Sequence, residues 1–128
     1  MIEVKLDYLF PTTNHAYGIA RKGRKAFLYK TTTAKSCQQI LELEFSKYVV
    51  DPTDYFGLYI CVYLKKNQRD ISSMTKLLQD AIAAGLKIND NRVLLVIEEK
   101  IVDKKESEGI ELKFGLVKEI KDMFVGKS

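Results

Sequence analysis

Apolar and polar positions recur with two different periods along this chain, and each change of period marks an element. Ile2, Val4, Leu6 and Tyr8 alternate with Glu3, Lys5 and Asp7, the period of a half-buried strand. The run FPTTN, Phe10 to Asn14, breaks that alternation with turn-forming residues. Tyr17 to Lys30 reads as a hairpin with its turn at Lys22-Gly23. From Thr32 or Thr33, the residues Ala34, Cys37, Leu41, Phe45 and Tyr48 fall at intervals of three and four. They form the core-facing stripe of a helix that Asp51-Pro52 ends. Phe56 to Leu64 is apolar almost throughout and predicts a central strand covered on both faces.

The helical period returns at Met74, Leu77, Leu78, Ala81 and Ile82, on a helix capped by Ser72 or Ser73 and stopped at Gly85. Arg92 to Asp103 is a second long strand. Ile110, Leu112 and Phe114 make a third, after a polar turn with Gly109, and are expected to pair antiparallel with the second. The tail from Lys118 to Ser128 is a short amphipathic helix through Ile120, Met123 and Phe124. It covers this sheet or docks on a second subunit. The fold class expected is α/β (α+β), with a mixed, mainly antiparallel sheet and two main helices. The expected organisation is one small domain over residues 1–128, with its core in 2–114 and a C-terminal helix or tail in 115–128.

Composition narrows the function classes. With 128 residues, 46% of them apolar and 30% charged, the chain matches an ordinary globular domain able to bury one core. No apolar run approaches the length of a membrane span, and MIEVKLDYLF lacks a signal-peptide pattern, so a cytoplasmic protein is expected. One histidine argues against a zinc or haem site. Cys37 and Cys61 have no CxxC spacing and read as small core residues.

Charge is segregated. Tyr8 to Leu41 contains no acid but holds Arg21, Lys22, Arg24, Lys25, Lys30 and Lys35. Such a window suits a polyanion such as nucleic acid, and equally a solvated hairpin. A hairpin tip with Arg21, Lys22, Arg24 and Lys25 around its turn could lie along a phosphate backbone. Phe27 and Tyr29 either stack on bases or pack inward. Asn14 and His15 are polar candidates for touching a ligand, or Asn14 caps its own turn.

Most of the candidate chemistry lies between Lys65 and Asn91. Lys65, Lys66 and Arg69 form a basic loop, and Asp70 and Asp90 bracket the following helix, with Lys76 and Asp80 one turn apart on its polar face. About twelve helical residues rise roughly 18 Å. An extended return from Gly85 to Asp90 would cover about 17 Å at roughly 3.3 Å per residue. A return segment doubling back along the helix would therefore bring Asp90 near Asp70 and Lys76. Two carboxylates and a lysine behind a basic loop suit a divalent cation and a phosphodiester. The plainer alternatives are that Asp70 caps the helix, Lys76 and Asp80 form a surface pair, and Asp90 begins a turn.

Arg69, Asp70, Lys76, Asp80, Ala81, Gly85 and Asp90, in that order and spacing, resemble the core motif of the RusA family of Holliday-junction resolvases. The segment FPTTNHAY, Phe10 to Tyr17, is similar to that family's proline–small–asparagine–tyrosine segment, and Lys100 has a counterpart there. The similarity covers roughly Ile2 to Leu112. It implies a small dimeric α/β protein, bacterial or phage-encoded. Such a protein uses Mg²⁺, or Mn²⁺ in its place, to nick four-way DNA junctions in recombination and repair. On this resemblance Asp70 and Asp90 would bind the metal, and Lys76 would position or neutralise the scissile phosphate. Asp80 would support Lys76 or the metal shell. A homodimer would present two opposed sites to a symmetric junction. The sequence departs from the motif at Ser72 and Ser73, where the family carries aspartate and asparagine, and at Asn89, where it carries an acid. Serine supplies no anionic oxygen to Mg²⁺. The departure therefore suggests a second expectation, a relative that binds branched DNA without cutting it efficiently.

Overall fold

The computed structural model describes residues 1–11, 17–22, 25–30, 32–67, 71–105 and 107–125; the side chains of residues 17–22, 25–30, 32, 72, 73 and 125 lie outside that description. The elements in order are β1 (Ile2–Leu6), β2 (Tyr17–Lys22), β3 (Lys25–Lys30), α1 (Thr32–Phe45), β4 (Phe56–Leu64), α2 (Ser72–Leu86), a one-turn 3-10 helix (Asp90–Arg92), β5 (Val93–Val102), β6 (Gly109–Leu116) and α3 (Val117–Val125). The fold is mixed α/β. A four-stranded sheet runs β1-β6-β4-β5, and β2 and β3 pair as a separate hairpin.

The apolar run from Phe56 to Leu64 takes a central position because it can be covered on both faces and paired on both sides. β4 pairs in parallel with β5 and antiparallel with β6, which pairs antiparallel with β1. This corrects one expectation. β6 does not pair with β5, because β4 lies between them. β5 reaches β4 through the α2 crossover, which a parallel pair requires, leaving β6 the other side of β4.

Alternation along β4 divides two cores. Leu58, Ile60, Val62 and Leu64 face Leu41 and Phe45 of α1 and Met74, Leu78 and Ile82 of α2. Tyr59 and Cys61 face Ile120 of α3. α3 therefore covers part of the sheet's second face, with the Phe124 ring 5.4 Å from that of Tyr59. Full burial of a leucine such as Leu58 stabilises the fold by about 1.5–3 kcal/mol. Among the described residues no helix is long and apolar enough to cross a membrane.

The two large helices pack closely, and this changes the reading of their ends. Gln38 of α1 is buried, and its Nε2 donates to the Leu77 carbonyl of α2 at 3.0 Å. A Cβ on Gly85 would lie 2.5 Å from the Glu42 carbonyl oxygen, so Gly85 is the place where α1 approaches, not a stop signal. The helix runs on to Leu86, and Lys87 adopts the left-handed conformation that closes it (φ 58°). At its start the flanking residue is Ile71, which makes no side-chain cap, while Ser72 and Ser73 are already helical. α1 ends at Phe45, before the proposed stripe reaches Tyr48.

Candidate functional site

Strand direction collects the chain's connections at one edge of the sheet. β1, β4 and β5 all run the same way, since β1 and β4 both oppose β6 and β5 parallels β4. Leu6 is paired with Ile110, Tyr63 with Gly109 and Leu64 with Val102, so the three strands end together where β6 begins. The C-terminal ends of parallel strands are rigid points from which α/β folds present ligand-binding groups.

Lys65, Lys66 and Asn67 leave β4 at this edge and are exposed. Lys100, two residues before the end of β5, donates from Nζ to Asn67 Oδ1 at 2.8 Å. The backbone N–H of Lys65 donates to Glu108 Oε2 at 3.2 Å, and that of Asp103 to the Leu64 carbonyl at 2.9 Å. Lys104 and Lys105 are exposed beside them. On the α3 side of the same edge lies an open cleft of about 860 Å³, lined by Lys5, Asp7, Tyr63, Asp103, Glu108 and Glu111 among others. The edge is therefore basic near the β4–α2 connection and acidic towards the cleft. Sequence reasoning found Lys65, Lys66 and Lys100. It missed Asn67 and the cleft, whose residues come from four separate segments.

Lys76 is exposed near the start of α2, and Asp80 is half-buried one turn further on; no ion pair joins them. Thr75 Oγ1 donates to the Glu98 carboxylate, which holds this half of α2 against β5. Asp90 lies past the other end of α2. A helix of 15 residues rises about 22 Å, and the residues between Leu86 and Asp90 do not run back along it. Lys87 N–H bonds to the Ala84 carbonyl at 3.3 Å and Ile88 N–H to the Ala83 carbonyl at 3.0 Å, so the chain turns at once. Asn89 Oδ1 then accepts from Asn91 N–H at 3.1 Å, opening the turn in which Asp90 sits exposed.

The expected return path is thus not taken. β5 itself makes the return, as a strand of the sheet. Asp90 belongs to the edge where β4 and β5 begin, and Lys76, Lys65 and Lys100 to the edge where they end. Asp90 does not fit as second ligand of a metal beside Lys76 within one subunit. Among the described residues no group of three or more His, Cys, Asp or Glu could hold a metal ion. Asn14, Arg24, Arg69 and Asp70 lie outside the described residues. Arg21 and Lys22 lie on β2 and Lys25 on β3, with Lys22 paired to Lys25; their side chains are outside the description.

The sheet's second face carries a ladder of polar groups. Cys61 is in register with Glu99 of β5 and Glu111 of β6. Tyr59 donates to the Glu99 carboxylate, and Tyr63 donates to Glu111 Oε2 at 3.2 Å. Burial first, and then its hydrogen bond to Glu99, raises the Tyr59 phenol well above its ordinary value. Tyr63 is pushed up to about 12, first by its hydrogen bond with Cys61 and next by burial. Burial also raises the Cys61 and Cys37 thiols. Reactivity needs a thiolate, so neither free cysteine is an activated nucleophile at neutral pH.

These features define a small mixed α/β domain built on a strand–helix–strand crossover, with a lysine-bearing edge where its parallel strands end. Compared with known proteins, the chain matches no family model and no curated relative.

Proposed function

We propose that this chain acts on four-way DNA junctions, as the RusA family it resembles does, and grips the phosphate backbone along the edge where β1, β4 and β5 end. One topological observation carries the reading. β1 leads into the proline–asparagine segment and β4 leads into the segment holding Arg69, Asp70 and Lys76, and both strands end at that edge. Lys65, Lys66 and Lys100 stand beside them. Lysines on a rigid strand end supply sequence-independent affinity for phosphates.

Within this reading the activity is Mg²⁺-dependent nicking of the junction, with Asp70 and Lys76 as its central residues and a homodimer matching the junction's symmetry. A second reading, binding of branched DNA without efficient cleavage, is favoured by the position of Asp90 and by the serines at 72 and 73. Titration of Mg²⁺ and Mn²⁺ against a labelled four-way junction, scoring binding and nicking together, separates them. Nicking that disappears in Asp70→Asn supports the enzyme. Tight junction binding without nicking, unchanged by Asp70→Asn, supports the binding protein, and Ser72→Asp should then raise any residual activity. Neither binding nor nicking would remove both.

A further inference from the structure

A groove of about 300 Å³ opens at the edge where β1 and β4 begin, opposite the lysine-bearing edge. The start of β1, the α1–β4 connection and the end of β6 wall it. The Phe56 and Phe114 rings, stacked 5.0 Å apart and almost wholly buried, lie at its base. Its lip is apolar and open to water. Of the ten exposed large apolar residues among the described residues, four line this groove: Met1, Tyr48, Val49 and Leu116. Val49 is 97% exposed. Apolar side chains exposed singly are ordinary, but several gathered around one polar-rimmed concavity mark a binding surface.

The rim carries charge of one sign, although the chain as a whole has a net charge of +4. Asp51 and Asp54 border the groove, and among the described residues no lysine, arginine or histidine lines it. Glu119 lies there too, but its charge is met by the chain's own amine at 3.5 Å. The hydroxyl and the N–H of Thr53 donate to Asp51 Oδ1 at 2.6 and 2.9 Å. These neutral donors hold the Asp51 carboxyl below its ordinary value and leave its negative charge in place. Among the described residues neither Asp51 nor Asp54 has an ion-pair partner. The same connection already receives one cation. Arg92 lies over the Tyr55 ring, 4.9 Å from its centroid, and donates to the Thr53 carbonyl at 3.3 Å. Tyr48 presents a second ring on the groove side.

We propose that this groove docks a segment of another protein in which a large apolar side chain is flanked by lysine or arginine. The apolar side chain fills the groove over Phe56 and Phe114, and the flanking cations meet Asp51 and Asp54. A groove of about 300 Å³ takes one such anchor, and a few buried anchors carry most of the energy of an interface. The acids around it orient the basic segment and reject an acidic one. Because β1 and β4 begin at this edge and end at the other, the docked segment leaves Lys65 and Lys66 uncovered. The proposal stands on the groove alone, whether or not the chain acts on DNA.

Nuclear magnetic resonance titration of the isotope-labelled full chain with synthetic peptides tests it. The probe is the capped peptide Ala-Lys-Arg-Trp-Arg-Lys-Ala. One control carries alanine in place of the tryptophan, and the other carries glutamate in place of every lysine and arginine. The probe should shift the backbone amides of Val49, Val50 and Leu116 to saturation, and each control should bind about tenfold more weakly or worse. Asp51→Asn with Asp54→Asn should weaken the probe severalfold, and the two control peptides remain decisive if that variant fails to fold. No saturable shift at these amides, a control that binds as well as the probe, or a folded double variant of unchanged affinity would each overturn the proposal. So would shifts of the same amides that grow with protein concentration in the absence of peptide, which would give the groove to a second copy.

Discussion

The Lys100 ammonium donates to the Asn67 side-chain oxygen at 2.8 Å, joining the edge strand to the connection that leaves β4. The partners are 33 residues apart in sequence, and they tie the segment leading to Arg69 and Asp70 to the sheet. Asn67→Ala removes this tether. Because the bond is exposed, it should cost the fold only about 1 kcal/mol or less. Affinity for a four-way junction, measured by gel shift or anisotropy at fixed salt, should fall severalfold, because the basic edge loses its arrangement. Unchanged affinity would detach Asn67 from the interface.

Lys65 and Lys66 are exposed and lie at the end of a buried strand. If they contact phosphates, Lys65→Ala and Lys66→Ala should each reduce the slope of log K against log salt by about 1. Junction and linear duplex should weaken in parallel, since phosphate contacts position DNA without reading it. Thermal melting should not move. A slope equal to that of the wild type would exclude either lysine from the interface.

Alkaline pH should destabilise the fold through the sheet's second face. The Tyr59 and Tyr63 phenols are raised from an ordinary value of 10.0, Tyr63 to about 12. The folded state therefore holds these protons more tightly than the unfolded chain. The stability they contribute is fully present below pH 10 and declines above it, the Tyr63 share being lost as pH rises through about 12 and the Tyr59 share at higher pH still. Denaturant midpoints should fall over that window, and Tyr59→Phe and Tyr63→Phe should each flatten the decline. A decline of the same steepness in both variants would assign it to other groups.

Gly85 measures how closely α1 and α2 approach. Its missing Cβ would lie 2.5 Å from the Glu42 carbonyl oxygen and 2.9 Å from Phe45 Cβ. In an open helix, glycine to alanine would stabilise by about 1 kcal/mol. Gly85→Ala should instead destabilise by about 1–3 kcal/mol, because α1 must shift. The melting temperature should drop by several degrees. A rise would mean that the helices separate without penalty.

How much could be read from the chain alone followed from how local each signal was. β4 and the α2 stripe lie where periodicity puts them, and β2 and β3 pair within Tyr17 to Lys30 as expected, although Lys22 pairs with Lys25 as the last residue of β2 instead of lying in the turn. The partner of β6 was misread because pairing is set by which strand occupies the centre, and two apolar strands competed for it. Gly85 carried the local signature of a helix end, but contact with α1 decided its role. The candidate site was legible as a set of residues and not as an arrangement. Lys65, Lys66 and Lys100 share an edge because three strands run the same way, and nothing in their spacing says so. Asp90 fell at the opposite edge because the chain turns within three residues of α2, where chain length alone permitted a longer return.

Under the proposed function, the edge where β1, β4 and β5 end grips branched DNA. Competition between an immobile four-way junction and linear duplex of the same sequence, at physiological salt and with Ca²⁺ in place of Mg²⁺ to suppress cutting, tests it most directly. The junction should bind at least tenfold more tightly, and Lys65→Glu with Lys66→Glu should abolish binding to both. Equal affinity for junction and duplex, or junction binding that survives the double charge reversal in a folded protein, would contradict it.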